Sequence, residues 1–145
     1  MVIEKLRKED IEKLLELYKE LIATKNDISV SKQTYEKILK DDNYYLAVLK
    51  KDNIILGSAL AVSCFNLSMG GNTFIVVEDV IVKENVRGLG VGKKLMKAID
   101  EFAKSKNAAY SILVSSNHRK DAHKFYKNIG YTDSVLGFRK IYKEI

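Results

Sequence analysis

Residues 87–94, Arg87-Gly88-Leu89-Gly90-Val91-Gly92-Lys93-Lys94, gather the residue types that hold an anion. Glycines let the backbone curl so that several N–H groups converge. Leu95, Met96, Ile99, Phe102 and Ala103 signal a helix directly after Gly92, and a helix N-terminus adds partial positive charge. Arg87, Lys93 and Lys94 add full charges. The chemistry this suits is the cradling of a pyrophosphate. The segment is not a P-loop, because Gly88 stands one residue too near Gly92-Lys93 and no hydroxyl follows the lysine to hold Mg²⁺. Nor is it the dinucleotide fingerprint, since Gly92 comes one residue early and the preceding strands lack a β-α-β start.

A second chemical feature lies upstream. Ile75 to Val82 is apolar except for Glu78 and Asp79. Two adjacent carboxylates cannot both enter a core without large cost, so one face of this run opens to water or to a site. Strand alternation places the pair on opposite faces unless a bulge intervenes. The remaining reactive types carry less. His118 and His123 are five apart, which suits neither helical spacing for metal ligation, and the lone Cys64 in an apolar run reads as core. No disulfide and no metal site is expected.

The elements that must position these residues follow from periodicity. Val2 to Leu6 alternates as a short first strand. Ile11, Leu14, Leu15, Tyr18, Leu21 and Ile22 mark a helix over 10–24, with Asp10 as N-cap. A second helix over 31–40 is capped by Ser31 and carries Tyr35, Ile38 and Leu39. Tyr44 to Leu49, Ile54 to Phe65 and Phe74 to Val82 read as an antiparallel meander with turns at 51–53 and 69–72. After the helix that follows Gly92, Ala108 to Val114 is a strand. Ala122, Phe125, Tyr126 and Ile129 mark a short helix closed by a left-handed Gly130. Residues 130–136 and 138–142 are terminal strands. The fold class is α/β (α+β): a mixed, mostly antiparallel sheet of about seven strands with about four helices, in one domain over 1–145. A right-handed crossover helix joins the central strand to the next.

Composition bounds the function classes. The chain has 145 residues, 46% hydrophobic and 30% charged, with no proline run or low-complexity segment. No apolar run reaches the ~18 residues of a membrane span, and the N-terminus lacks the apolar stretch of a signal peptide. A soluble, cytoplasmic protein is expected. The net charge of +6 is unevenly placed. Residues 1–82 carry 11 basic and 13 acidic side chains, a net of −2, whereas 83–145 carry 14 and 6, a net of +8. Such a basic half suits a polyanionic partner, or is a solvated lysine surface.

Taken together, these motifs resemble the GNAT superfamily of N-acetyltransferases. Arg87-x-x-Gly90-x-Gly92 is similar to its [QR]-x-x-G-x-[GA] loop, which binds the pyrophosphate of acetyl-coenzyme A. Val77 to Val82 looks like the strand before that loop. Asn117, followed by Phe125-Tyr126-x-x-x-Gly130-Tyr131, resembles a later segment of the superfamily.

The resemblance implies roles residue by residue. The loop Arg87, Gly88, Leu89, Gly90, Val91, Gly92 and Lys93 holds the pyrophosphate. Main-chain groups of Val80, Ile81 and Val82 pair with the pantetheine arm where the strand splays from its neighbour, often at a bulge. Asn117 hydrogen-bonds that arm. Glu78 is the base or water relay, with Asp79 competing, and Tyr126 protonates the leaving sulfur. Transfer is by direct attack of an amine on the thioester. The strand and loop are most like those of members acting on small molecules, such as amino-sugar phosphates and aminoalkylphosphonates. Acceptor specificity belongs to the two N-terminal helices and residues 24–30, where no motif names a substrate. The expected partners are acetyl-CoA and a small primary amine, with neither nucleic acid nor membrane; a homodimer stays open. The alternatives are a peptide or protein N-acetyltransferase and a non-catalytic acyl-CoA sensor.

Overall fold

Turn geometry decides how the apolar runs pair. The computed structural model describes residues 1–144. Asp52 and Asn53 take φ of 50° and 62°, the two-residue hairpin geometry that matches strand twist. They join β2 (Tyr44–Lys51) to β3 (Ile54–Cys64). Gly70 and Gly71, at φ of 61° and 82°, turn the chain into β4 (Thr73–Val82). With β1 (Val2–Glu4) these strands pair antiparallel in sequence order, and β5 (Ala108–Ile112) joins β4 in parallel. A parallel step needs a crossover, which α3 (Val91–Ser105) supplies. The other helices are α1 (Ile11–Tyr18), α2 (Ile28–Leu39) and α4 (Lys120–Asn128).

The chain divides into two units, Met1–Ile112 and Leu113–Ile145. The first holds the whole sheet and α1 to α3. One face of the sheet buries Val48, Ile55 and Ile81 with Leu6, Ile11, Leu14 and Leu17 of the α1 region and Tyr35 of α2. On the other, Tyr45 stacks on Phe102 of α3 at 5.2 Å. Ala47 and Leu49, which share the parity of Tyr45, are fully buried, as are Leu95 and Ile99 of α3. Period 2 in the strands and period 3.6 in the helices thus meet in two layers of side chains. The second unit is built around α4. Gly130, at φ of 109°, ends that helix, and the Tyr131 N–H donates back to the Tyr126 carbonyl at 3.0 Å.

Several expectations are corrected. Among the described residues the sheet has five strands, not about seven. Residues 130–136 and 138–142 form no ladder, and Leu136, Phe138 and Tyr142 are 80%, 90% and 84% exposed. Strand preference is mostly a preference for packing on a neighbour, and here none covers these side chains. α1 stops at Tyr18, where bonds from Glu20 to Leu17 and from Leu21 to Tyr18 tighten the chain into a turn. Asp10 makes no cap hydrogen bond. It is buried instead against the ammonium of Lys50, with Arg7 and Lys13 each at 3.2 Å. α2 begins earlier than expected because Asp27 caps it, accepting the Val30 N–H at 2.9 Å. Ser31 falls inside the helix.

Candidate active site

The acidic pair sits on a bulge. On β3 the step from Ser58 to Leu60 spans two residues, but their partners on β4, Ile81 and Glu78, are three apart. Asp79 and Val80 therefore both lie opposite Ala59, and Asp79 takes a φ of 52° in the left-handed region. The extra residue changes which face the side chains use, since register partners share a face. Glu78 pairs with Leu60 and Ile81 pairs with Ser58. Both thus stand on the α1 side, although simple alternation would separate them. Glu78 and Asp79 are exposed. Partial burial of the Asp79 carboxyl still raises its pKa above the ordinary value. Tyr18 of α1 is close enough to feel that carboxylate. Burial pushes its phenol up to about 12, with the neighbouring Ser58 hydroxyl opposing and Asp79 adding to the shift.

Beyond the bulge the strand loses a neighbour. The parallel ladder between β4 and β5 ends at Val76 and Ile112. From Val77 to Val82 the strand ladder of β4 is the one it makes with β3. Within the first unit no strand pairs with the main chain of Val80, Ile81 and Val82 on the side away from β3. The Val82 carbonyl accepts Nε of Arg87 at 3.1 Å, so that group is already engaged.

The glycine-rich loop follows at once. A 3₁₀ turn, Glu84–Val86, leads into Gly88 and Gly90, at φ of 79° and 82°. Gly90 stands at the N-cap of α3 with no side-chain cap, and no acidic residue occupies the first turn. Lys94 closes that turn on the Gly90 carbonyl at 3.1 Å. The N–H groups of Val91, Gly92 and Lys93 are left without intrahelical acceptors, as in any helix. A Cβ added at Gly88 or Gly90 would meet no atom within 4 Å, so the loop floor is open. Leu89 at the crest is exposed. Free first-turn N–H donors, open space beside Gly88 and Gly90 and the positive end of a 15-residue helix could hold an anion such as a pyrophosphate.

Gly57 carries a constraint that residue types and spacing alone do not single out. A Cβ there would stand 2.9 Å from the Ile81 carbonyl, from Leu95 and from Val91. This glycine lets the first turn of α3 sit against β3 and β4, and so aims the loop. Its signal was a glycine inside a strand, which often marks close backbone approach.

The second unit carries Tyr126 and Asn117. Tyr126 is buried, with its ring against Phe125 at 5.4 Å and edge-on to Tyr131 at 5.9 Å. Burial raises its phenol pKa, with Arg119 opposing. Asn117 is exposed in the segment before α4. His123 Nε2 lies 2.9 Å from the Ser116 carbonyl, while His118 is exposed. Among the described residues no three His, Cys, Asp or Glu side chains gather as metal ligands. No helix is long and apolar enough to cross a membrane.

The acetyltransferase (GNAT) family model matches residues 3–131. The uncharacterized N-acetyltransferase YhdJ of Bacillus subtilis (strain 168) is 28% identical over 120 residues, 82% of this chain and 83% of that protein. The aminoalkylphosphonate N-acetyltransferase of Salmonella typhimurium is 25% identical over 132 residues, 91% of this chain and 85% of that protein. The crystal structure of glucosamine-6-phosphate N-acetyltransferase from Arabidopsis thaliana superposes with a TM-score of 0.89 at 22% identity, covering 98% of each chain.

Proposed function

The chain belongs to the GNAT acetyltransferase family, and from that premise we propose that it moves the acetyl group of acetyl-CoA to a primary amine of a small molecule. The observation that carries the donor is the open loop of left-handed glycines at the uncapped N-terminus of α3. In this reading Arg87 to Lys93 hold the pyrophosphate through backbone N–H groups and Arg87. The main chain of β4 at Val80 to Val82 hydrogen-bonds the pantetheine arm as an added strand would, and Asn117 assists. Acetyl-CoA supplies a thioester carbonyl open to direct attack.

The remaining steps belong to side chains. An amine is protonated at neutral pH, so Glu78 takes its proton, directly or through a water. The bulge supports this by turning Glu78 to the α1 side of the sheet. Tyr126 holds the proton for the departing sulfur: a phenol is protonated at neutral pH, and burial favours that form further. The reading takes residues 1–145 as one domain, supported by a family match over residues 3–131 that enters both units.

The acceptor reading rests on relatives whose names specify small amines bearing phosphate or phosphonate. The test is a thiol-release assay with acetyl-CoA against aminoalkylphosphonates, amino-sugar phosphates, unphosphorylated amines and peptides. Turnover on small amines is expected. Turnover on peptides alone overturns the acceptor class, and tight CoA binding with no turnover on any amine turns the protein into a sensor.

A further inference from the structure

Glu20 lies in the turn that follows α1, and no step above uses it. Its backbone is fixed by the N–H bond to the Leu17 carbonyl at 3.0 Å, on a helix whose Leu14 and Leu17 are buried. Its carboxylate crosses to the connection between β4 and α3. Oε2 accepts the backbone N–H of Glu84, 64 residues away, at 3.0 Å. The same oxygen stands 3.8 Å from Nη2 of Arg87. Arg87 meanwhile donates Nε to the Val82 carbonyl at 3.1 Å.

One carboxylate thus ties the start of the Glu84–Val86 turn and the first residue of the glycine loop to the chain leaving α1. The Glu84 N–H is an end-of-helix donor that would otherwise need water. The ion pair is partly exposed, at 55% for Arg87 and 32% for Glu20, and such pairs add little to stability. What it sets is direction. A guanidinium is a rigid planar fork, and with Nε on Val82 and Nη2 toward Glu20 its plane is defined. Nη1 is left for an incoming anion.

We infer that Glu20 is a positioning residue that orients Arg87 for the donor's pyrophosphate and couples the donor loop to the turn at residues 19–24. The inference rests on the acetyl-CoA reading above. An anion that immobilises Arg87 also restrains the carboxylate paired with it at 3.8 Å, and through it the turn leading to residues 24–30. By linkage, whatever orders that turn tightens donor binding by the same factor.

Calorimetry of CoA binding to wild type, Glu20→Gln, Arg87→Gln and the double variant tests this. Glu20→Gln keeps an oxygen for the Glu84 N–H and removes the charge facing Arg87. It should weaken CoA about two- to fivefold, the scale of a partly exposed ion pair, with the melting temperature unchanged; unchanged or tighter CoA binding overturns the orienting role. The double variant should be no weaker than Arg87→Gln alone, because the pair acts as a unit. Amide exchange supplies the second readout. CoA should slow exchange at 19–24 as well as 87–93 in wild type, and at 87–93 alone in Glu20→Ala. Additive losses in the cycle, or no CoA effect at 19–24 in wild type, overturn the coupling. A wild type that binds no CoA overturns the donor reading itself, and the coupling with it.

Discussion

Asp79 is a non-glycine residue at φ 52° in the middle of a strand, and that strain sets the direction of its neighbour. Glu78 faces the α1 side only because the bulge inserts an extra residue, so the two carboxylates should respond differently to neutralisation. Glu78→Gln should lower kcat/KM most near neutral pH, by roughly 10²- to 10⁴-fold if it is the base. The loss should shrink at alkaline pH, where free amine is abundant. For Asp79 the sign follows from its raised carboxyl. Burial favours the protonated form in the folded state, so wild-type stability falls as pH rises through the carboxyl's titration. Asp79→Asn should therefore gain on wild type as pH climbs above about 4 in urea titrations. If Asp79→Asn instead loses the acidic limb of the rate profile while Glu78→Gln retains it, the roles are exchanged. Tyr126→Phe removes one hydroxyl from a buried ring, so fold and CoA affinity should persist while kcat falls roughly 10- to 10⁴-fold. A kcat equal to wild type, measured where chemistry limits the rate, excludes Tyr126 as the acid.

Elements are where sequence reading succeeded and failed for identifiable reasons. The meander, the crossover helix and α4 were legible because burial is written in local periods of 2 and 3.6 residues. The glycine loop and the acidic pair were legible as clusters of residue types. The Asp27 cap, the Asp10–Lys50 pair and the Gly57 contact were not. The last two depend on which segments meet, and Asp10 and Lys50 are 40 residues apart. Residues 130–136 and 138–142 alternate like strands yet form none, because apolar alternation does not supply a partner to pack on. The Gly57 contact yields one prediction: Gly57→Ala forces a methyl to 2.9 Å from the Ile81 carbonyl and two α3 side chains. It should destabilise by about 1–3 kcal/mol and weaken CoA by moving the α3 N-terminus, which denaturation and calorimetry measure together. Unchanged values in both would mean that α3 does not need this close approach. The Asp10 pair yields another. Burial alone would raise the Asp10 carboxyl, yet hydrogen bonds from Lys50, Lys13 and Arg7 hold it well below the usual carboxylate range. Its stabilisation is complete above the unfolded value near ~4 and is lost as acid titrates it. Asp10→Asn should cost about 3–5 kcal/mol at neutral pH, because Lys50 is left buried without its countercharge. The gap to wild type should narrow below about pH 4; a pH-independent gap would assign the loss to packing.

Across the whole chain, charge is divided unevenly, with 14 basic and 6 acidic residues after position 82. A basic surface draws polyanions of any kind, so attraction alone does not choose between a nucleotide cofactor and a nucleic acid. The form of the contacts does. In the proposed reading the donors at the loop are backbone N–H groups beside open space, which suit one compact pyrophosphate. A duplex would be held by long, exposed lysines, each releasing a counterion. A protein making about 6–10 phosphate contacts on DNA loses ~10³–10⁵ in affinity between about 50 and 200 mM salt. Acetyl-CoA brings few charges and gains hydrogen bonds that salt screens less, so its Kd should weaken by less than about tenfold over that range. Titrations of acetyl-CoA and of a random-sequence duplex at both salt concentrations make the comparison. Duplex binding should be weak and collapse, while acetyl-CoA binding persists. Duplex affinity exceeding that of acetyl-CoA at the higher salt would make the basic half a nucleic-acid surface and the loop incidental to it.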